Sequence, residues 1–262
     1  TSWPITFDLT SSTSTSSANS NGITMTGNHT TISSTGAGGR KCYIGQNKIL
    51  GNTTNGSYYN GFRINTGSDS NTVEGNLVAN FYYYGFYISS TPGTKMLDNE
   101  FHRADKTATG IGYGGYIINS SPGNVVTGNR IHSLGGVNGT STSTTYGIYY
   151  ATGHGNLAAP SILANNVMYN FNQNGLNYGL YTNLTSHLRV YHNTIVMDVP
   201  LTSTAATYGI YVGGNQTNAE YKNNIIQITG GTSGLKYGYF FTSPTGGGVS
   251  AGGLHRNNVY VN

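Results

Sequence analysis

The chain has 262 residues and a formal net charge of +4, yet only 8% of its residues are charged, while Gly occurs 39 times and Tyr 22 times. Good helix formers are scarce, which argues against a helical bundle or a doubly wound α/β fold. The sequence has no apolar run of about 18 residues, so it predicts no membrane span, and its many aromatic residues argue against a disordered chain. The composition therefore predicts an all-β protein with many turns.

The first twenty residues differ from the rest of the chain. Residues 8–20 are a low-complexity stretch dominated by Ser and Thr. We expect residues 1–20 to form an N-terminal edge or linker segment, in which Trp3, Ile5 and Phe7 cap the first coil of the following domain. Residues 21–262 are expected to form a single domain.

Two short phrases repeat through residues 21–262. A phrase of aromatic or Asn, Gly and apolar residues occurs at 21–25, 60–64, 84–88, 114–118, 146–150, 178–182, 208–212 and 237–241. Between these copies an Asn is followed two places later by an apolar residue, at Asn47, Asn76, Asn99, Asn129, Asn166, Asn193, Asn224 and Asn258. Successive Asn residues are 23 to 37 positions apart, which indicates constant strands joined by loops of varying length. Units this small must stack to bury a core.

Stacked units of this kind predict a right-handed parallel β-helix, a solenoid of about eight coils spaced ~4.8 Å apart. One inward column should contain Ile44, Val73, Met96, Val126, Leu163, Val190 and Tyr221. Another should contain Ile64, Ile88, Ile118, Tyr150, Thr182, Val212 and Phe241. The repeated Asn should stack at a turn, where side-chain amides can hydrogen-bond one another and the backbone.

The phrases also resemble those of a known family. Glu74-Gly75-Asn76-Leu77-Val78 and Thr127-Gly128-Asn129-Arg130-Ile131 resemble the coil phrase of the parallel β-helix repeats in the pectin lyase-like superfamily. The resemblance covers roughly residues 20–262 and implies the fold. It leaves function open, because lyases, hydrolases, epimerases, phage tailspikes and adhesins share this architecture.

A first candidate site follows the Gly-containing phrase. Strand alternation places Arg63, Tyr87, Ile117, Tyr149, Tyr181, Tyr211 and Phe240 in one outward column. Aromatic faces stack on sugar rings and pack against proteins, so this strip predicts ligand binding by Tyr87, Tyr149, Tyr181, Tyr211 and Phe240. The alternative is that the aromatic residues only stabilise the sheet through cross-strand pairs.

A second candidate site follows the repeated Asn. In adjacent coils Glu100 should neighbour Arg130, and His102 should neighbour His132, with all four side chains outward and Asp98 and Asp105 close in sequence. A lyase-like site could use Arg130 or His132 as base and Arg103 to neutralise a substrate carboxylate, and only this reading allows for Ca²⁺. The alternative is a surface ion pair beside two solvated histidines. The sequence has no Cys/His metal-binding spacing, so we expect no metal site or other cofactor.

The expected function is an extracellular or cell-surface β-helix module for adhesion, glycan binding or fibre assembly, without catalysis. Its partner would be a polysaccharide or other surface glycan, or copies of itself. The few charged side chains, with abundant Asn, Thr and Tyr, favour this class. The alternative is a polysaccharide lyase or glycoside hydrolase acting on an acidic, uronate-containing glycan. Basic residues are scattered, so no nucleic-acid partner is expected.

Overall fold

A computed structural model describes residues 5–9, 21–25, 43–45, 47–54, 60–65, 70–119, 122–137, 139–153, 155–198, 202, 204–231, 233–243 and 249–262. These residues contain twenty-five β-strands and no helix, which confirms the expected all-β class. Within the same residues there is accordingly no helix capable of crossing a membrane. Trp3, one of the three expected cap residues, lies outside the described ranges.

The strands, numbered in chain order, form three parallel sheets. The first, here the tyrosine sheet, contains β2 (Asn21–Met25), β5 (Asn60–Ile64), β8 (Tyr84–Ser89), β11 (Gly112–Ile118), β14 (Thr145–Ala151), β17 (Asn177–Asn183), β20 (Thr207–Gly213) and β23 (Lys236–Phe241). The second, here the histidine sheet, contains β1 (Ile5–Leu9), β4 (Asn47–Gly51), β7 (Leu77–Ala79), β10 (Glu100–His102), β13 (Arg130–His132), β16 (Val167–Tyr169), β19 (Thr194–Met197), β22 (Ile225–Ile228) and β25 (Asn258–Val261). The third contains β3 (Tyr43–Gly45), β6 (Thr72–Glu74), β9 (Lys95–Leu97), β12 (Val125–Thr127), β15 (Ser161–Ala164), β18 (Leu188–Tyr191), β21 (Ala219–Lys222) and β24 (Val249–His255).

Each coil passes through the third sheet, then the histidine sheet, then the tyrosine sheet, and every strand pairs with the strand three places on. This is a parallel β-solenoid, as the repeat predicts. The described residues give nine strands in the histidine sheet and eight in each of the others, against the expected eight coils. Ile5–Leu9, within the expected N-terminal edge segment, is the first strand of the histidine sheet and pairs with β4.

The core follows the two predicted inward columns with one correction. The first column is in register from Ile44 to Tyr221. In the second, Ile117 rather than Ile118 pairs with Ile88 and Tyr150, and Ile117 is fully buried. The expected placement of Ile117 on the outer surface is therefore wrong, as is the inward placement of Ile118.

The physical reason for this correction is a second glycine in β11. Gly114, not Gly115, matches the repeat glycine, because a Cβ on Gly114 would lie 2.6 Å from the carbonyl oxygen of Gly147 in the next coil. Gly115 occupies an inward position, and the Phe86 ring fills the space that a side chain there would need, 2.1 Å from an added Cβ. The phrase is thus shifted by one residue, and Tyr116 takes the outward place.

The repeat glycines form a column in which the chains of neighbouring coils approach closely. A Cβ on Gly147 would lie 2.3 Å from the Gly179 carbonyl oxygen and 2.7 Å from Met168 Sδ, so no other residue fits without displacement. The register skips this glycine, since Tyr146 pairs with Tyr178 and Ile148 pairs with Leu180. As a result, side-chain alternation is interrupted there, and Tyr146 and Tyr149 lie on the same outer face.

The repeated Asn side chains stack between the third sheet and the histidine sheet, as predicted. For example, the backbone N–H and Nδ2 of Asn129 donate to Asn166 Oδ1 at 3.1 and 2.9 Å. We call this column the asparagine ladder: Asn47, Asn76, Asn99, Asn129, Asn166, Asn193, Asn224 and Asn257. The expectation of Asn258 as the last member is wrong, because Asn258 pairs with Ile225 inside the histidine sheet.

Candidate functional site

The outer face of the tyrosine sheet carries two parallel aromatic columns, which together we call the tyrosine face. The first column contains Tyr84, Tyr113, Tyr146, Tyr178, Tyr208 and Tyr237. The second contains Tyr87, Tyr116, Tyr149, Tyr181, Tyr211 and Phe240. The structure thus brings together all five residues predicted to bind a ligand. Sequence reasoning missed the first column, because strict alternation from Tyr87 places Tyr84 inward.

Rings in the tyrosine face pack tightly against one another. Within the second column, the Tyr149 and Tyr181 centroids are 4.7 Å apart and the rings are inclined by only 7°. Across the two columns, Tyr146 meets Tyr149 edge to face at 5.4 Å and 89°. Both geometries are favourable for aromatic pairs. In the middle coils, the rings of the two neighbouring coils cover both faces of each ring. The tyrosine face therefore presents ring edges and hydroxyl groups to the outside.

The hydroxyl groups of the tyrosine face make no hydrogen bonds within the described part of the fold. Among the described residues, none of its eleven tyrosine hydroxyls makes a protein hydrogen bond, whereas Tyr169, Tyr191 and Tyr221 elsewhere all have partners. Burial, together with neighbouring tyrosines, raises the pKa of Tyr146 and of Tyr181 to about 12. The hydroxyls of Tyr146 and Tyr181 are therefore neutral at pH 7, and each can donate one hydrogen bond and accept others.

The tyrosine face is also almost free of charge. Strands β8, β11, β14, β17 and β20 contain no charged residue. At one end Arg63 covers the face of the Tyr87 ring, with its guanidinium carbon 5.1 Å from the ring centroid. At the other end Lys236 precedes Tyr237 and donates to the backbone oxygen of Asn262 at 2.6 Å. Charge is thus confined to the two ends of a neutral strip.

The histidine sheet brings the second predicted cluster together. Glu100 pairs in register with Arg130, and His102 pairs with His132. Glu100 Oε1 lies 2.9 Å from His132 Nε2, and Glu100 Oε2 lies 3.6 Å from Arg130 Nη1. The His102 and His132 rings stack at 5.1 Å, and Tyr169 stacks on the other side of His132 at 4.8 Å. Tyr169 was missed from sequence, since the Asn-centred phrase alone gives no reason to select it.

Charges within this cluster stabilise one another. Burial acts to raise the pKa of Glu100, but the hydrogen bond with His132 and the charge of Arg130 lower it overall. The hydrogen bond from Arg130 Nη2 to the Tyr169 hydroxyl, at 2.7 Å, raises the pKa of Arg130. Burial and the neighbouring His132 lower the pKa of His102. At neutral pH Glu100 is thus a carboxylate and Arg130 a firmly held cation, which makes Arg130 a poor proton acceptor.

Arg103, expected to neutralise a substrate carboxylate, is instead buried, so this expectation is wrong. Its Nη1 and Nη2 donate to the carbonyl oxygens of Gly110 and Ala108 at 3.3 and 3.4 Å, because the loop after β10 folds back over the side chain. Burial lowers the pKa of Arg103 to about 10. Across the described part of the chain, no three His, Cys, Asp or Glu side chains are grouped to hold a metal ion.

No protein-family model, no curated protein and no solved structure matches this chain. Function is therefore inferred from the two clusters themselves. Hydrogen-bonding groups of the histidine-sheet cluster are largely engaged with one another, whereas those of the tyrosine face are unpaired over six coils. The tyrosine face is the stronger candidate for binding.

Proposed function

We propose that this chain is an extracellular β-helix module of the pectin lyase-like superfamily that binds a polysaccharide through the tyrosine face. The observation that supports the proposal is the pair of tyrosine columns, whose eleven hydroxyls have no protein partner within the described residues. A regular row of unpaired hydrogen-bonding groups can bind a ligand whose own hydrogen-bonding groups recur at a similar spacing.

The direction of the columns favours a chain-like ligand. Hydroxyls recur at every coil, about every 4.8 Å along the solenoid axis. A polymer lying along this axis can therefore hydrogen-bond to successive coils, and each bond to a sugar hydroxyl contributes about 0.5–1.5 kcal/mol. Because stacking already fixes the rings, little side-chain entropy is lost on binding.

The neutrality of the tyrosine face selects the type of glycan. The tyrosine-sheet strands β8, β11, β14, β17 and β20 carry no Arg or Lys that could pair with a uronate carboxylate, so the face suits an uncharged polysaccharide. Binding would use ring edges and hydroxyls instead of the open ring faces expected from the sequence. This recognition needs no catalysis, and it serves adhesion as well as simple glycan binding.

The lyase or hydrolase alternative receives less support from the geometry. Arg130 has a raised pKa, and Arg103 does not reach the surface. Paired-acid glycoside hydrolysis needs two carboxyl groups flanking the bond, whereas Glu100 is paired with Arg130 and His132. If this alternative holds, polygalacturonate should yield unsaturated products that absorb in the ultraviolet, and Arg130→Ala should abolish them.

The proposal is tested by co-sedimentation with cellulose, chitin, xylan and polygalacturonate. The test variant changes Tyr149, Tyr181 and Tyr211 to Phe, which removes three hydroxyls and keeps the stacked rings. Three lost hydrogen bonds at about 0.5–1.5 kcal/mol each should weaken binding by more than tenfold. Tyr260→Phe is the matched control, since Tyr260 is exposed on the histidine sheet and should leave binding unchanged.

Two other outcomes are informative. Concentration-dependent self-association in analytical ultracentrifugation, lost in the triple Phe variant, would identify a second copy as the partner and support fibre assembly instead. Absence of both glycan binding and self-association in the unmodified chain would refute the proposal.

A further inference from the structure

His132 lies between a serine hydroxyl and a carboxylate. Its Nδ1 is 3.1 Å from Ser133 Oγ, and its Nε2 is 2.9 Å from Glu100 Oε1. Nucleophile, base and orienting carboxylate within hydrogen-bond reach form the arrangement that activates serine hydrolases on several unrelated folds. We propose that Ser133, His132 and Glu100 form a relay that hydrolyses short-chain acyl esters, at a site separate from the tyrosine face.

The protons of the relay are placed by Glu100. As a carboxylate it only accepts hydrogen bonds, so His132 Nε2 carries the proton and donates it to Glu100. In the neutral form of the ring, His132 Nδ1 has a free electron pair and accepts from the Ser133 hydroxyl, as a general base must. His102 and Tyr169 stack on the two faces of the His132 ring and fix its orientation.

Ser133 has a left-handed backbone conformation, which it shares with other turn residues of the described coils. It directly follows β13 with a φ of 52°, in the left-handed region, which costs free energy for a residue other than Gly. Asn80 and Asn170 follow β7 and β16 with the same conformation, and Asn is the residue type that tolerates it best. The neighbouring coil also contacts the serine directly, because Asn170 Nδ2 donates to Ser133 Oγ at 2.8 Å.

A backbone donor without an acceptor in the described structure lies beside the serine, in the fully buried residue Leu134. The backbone N–H of Leu134, the residue after the nucleophile, makes no hydrogen bond among the described residues. The residue after the nucleophile supplies such a donor in other serine hydrolases. Gly135 and Gly136 follow it, so the chain turns away immediately beyond this position.

The reaction has two balanced steps. Ser133 Oγ bonds to the ester carbonyl carbon while its proton moves to His132 Nδ1, and the bond to the alcohol oxygen then breaks as that proton passes to the leaving alkoxide. Water next attacks the acyl-serine, giving its proton to Nδ1. The bond to Ser133 Oγ breaks, the proton returns to the serine, and a carboxylic acid leaves.

Access to the relay limits the substrate. Ser133 is 6% exposed and the His132 side chain 13% exposed, so only a small acyl group such as acetyl can approach Oγ. The Arg130 side chain is 56% exposed at the same cluster, which leaves the alcohol part of the ester on the open side of the sheet. The proposed substrate class is therefore an acetyl ester of a larger alcohol.

The test uses the full chain, a fluorophosphonate probe with mass-spectrometric mapping, and p-nitrophenyl acetate hydrolysis. We expect the probe on Ser133 and a loss of both labelling and hydrolysis in Ser133→Gly. Gly adopts the left-handed conformation without strain, which offsets the loss of the hydrogen bond from Asn170, so we expect this variant to fold. His132→Gln should lower the rate about 10²–10⁴-fold. Ser89→Ala, on the tyrosine sheet, is the control and should change neither readout.

The proposal is overturned if Ser133 stays unlabelled, or if Ser133→Gly hydrolyses the ester at the rate of the unmodified chain. It is also overturned if Glu100→Gln leaves the rate unchanged while the chain remains folded by circular dichroism. Glycan binding by the tyrosine face does not involve Ser133, so the two proposals fail or stand separately.

Discussion

The asparagine ladder and the tyrosine face repeat one residue type through successive coils, but they differ in how their polar groups are used. Asn129 is buried, and its amide both donates to and accepts from adjacent coils. Tyr149 is half-buried, and its ring stacks on Tyr116 and Tyr181, yet its hydroxyl has no partner in the described structure. Folding thus accounts for the whole Asn side chain and only for the ring of the Tyr.

This difference separates structural repetition from functional repetition. A buried amide without partners costs free energy, so the asparagine ladder is explained by the fold that contains it. Phe would stack as well as Tyr in the outer columns, and Phe240 does so at the end of the second column, 5.2 Å from Tyr211. The proposal of a partner outside the chain rests on these eleven hydroxyls, which stacking alone does not require.

Alkaline pH should have the largest effect, because it ionises the tyrosines of the tyrosine face and leaves the asparagine ladder unchanged. Burial and neighbouring tyrosines raise the pKa of Tyr146 and Tyr181 from 10.0 to about 12. Since the folded pKa lies above the unfolded value, this stabilisation is complete below pH 10 and is lost as the pH rises from 10 towards 12. We expect tyrosinate absorbance to appear at a higher pH in the folded chain than in the denaturant-unfolded chain. The melting temperature should fall between pH 10 and pH 12.

If the folded chain instead titrates in one step at the pH of the unfolded chain, the packing of the tyrosine face is wrong. A melting temperature that stays constant between pH 10 and 12 would equally contradict the expected linkage.

Removing one member of the asparagine ladder should have the next largest effect. Asn129→Ala deletes the donors to Met96 O and Asn166 Oδ1 and leaves the backbone N–H of Asn99 without its acceptor. Buried polar groups left unpaired cost about 1–3 kcal/mol each, so we expect a loss of about 3 kcal/mol or more in denaturant unfolding. Asn215→Ala is the control, because Asn215 is exposed and the change should cost less than about 0.5 kcal/mol. Equal losses of unfolding free energy in the two variants would mean that the asparagine ladder does not stabilise the fold more than an exposed asparagine does.

The asparagine ladder and the tyrosine face were not equally predictable from the sequence. The asparagine ladder is set by a recurring residue and a recurring apolar neighbour, and only its last member was misplaced, by one residue. Only one of the two columns of the tyrosine face was predicted. The other was missed because alternation assumes a regular strand, whereas the register skips a glycine such as Gly147. The buried position of Arg103 depends on the fold of a loop, and the contact of Ser133 with His132 depends on a left-handed turn. Neither has a periodic signal in the sequence.

The smallest expected effect is the sharpest test of the comparison. Tyr149→Phe removes a hydroxyl without a protein partner and keeps the stacked ring, so the free energy of unfolding should change by less than about 0.5 kcal/mol. Tyr149→Ala removes the ring as well as its contacts with Tyr116 and Tyr181, and should cost about 2 kcal/mol. Denaturant unfolding of both variants, measured beside the unmodified chain, checks the order. If Phe destabilises as much as Ala, the hydroxyl has a role inside the fold, and the argument that it awaits an external partner fails.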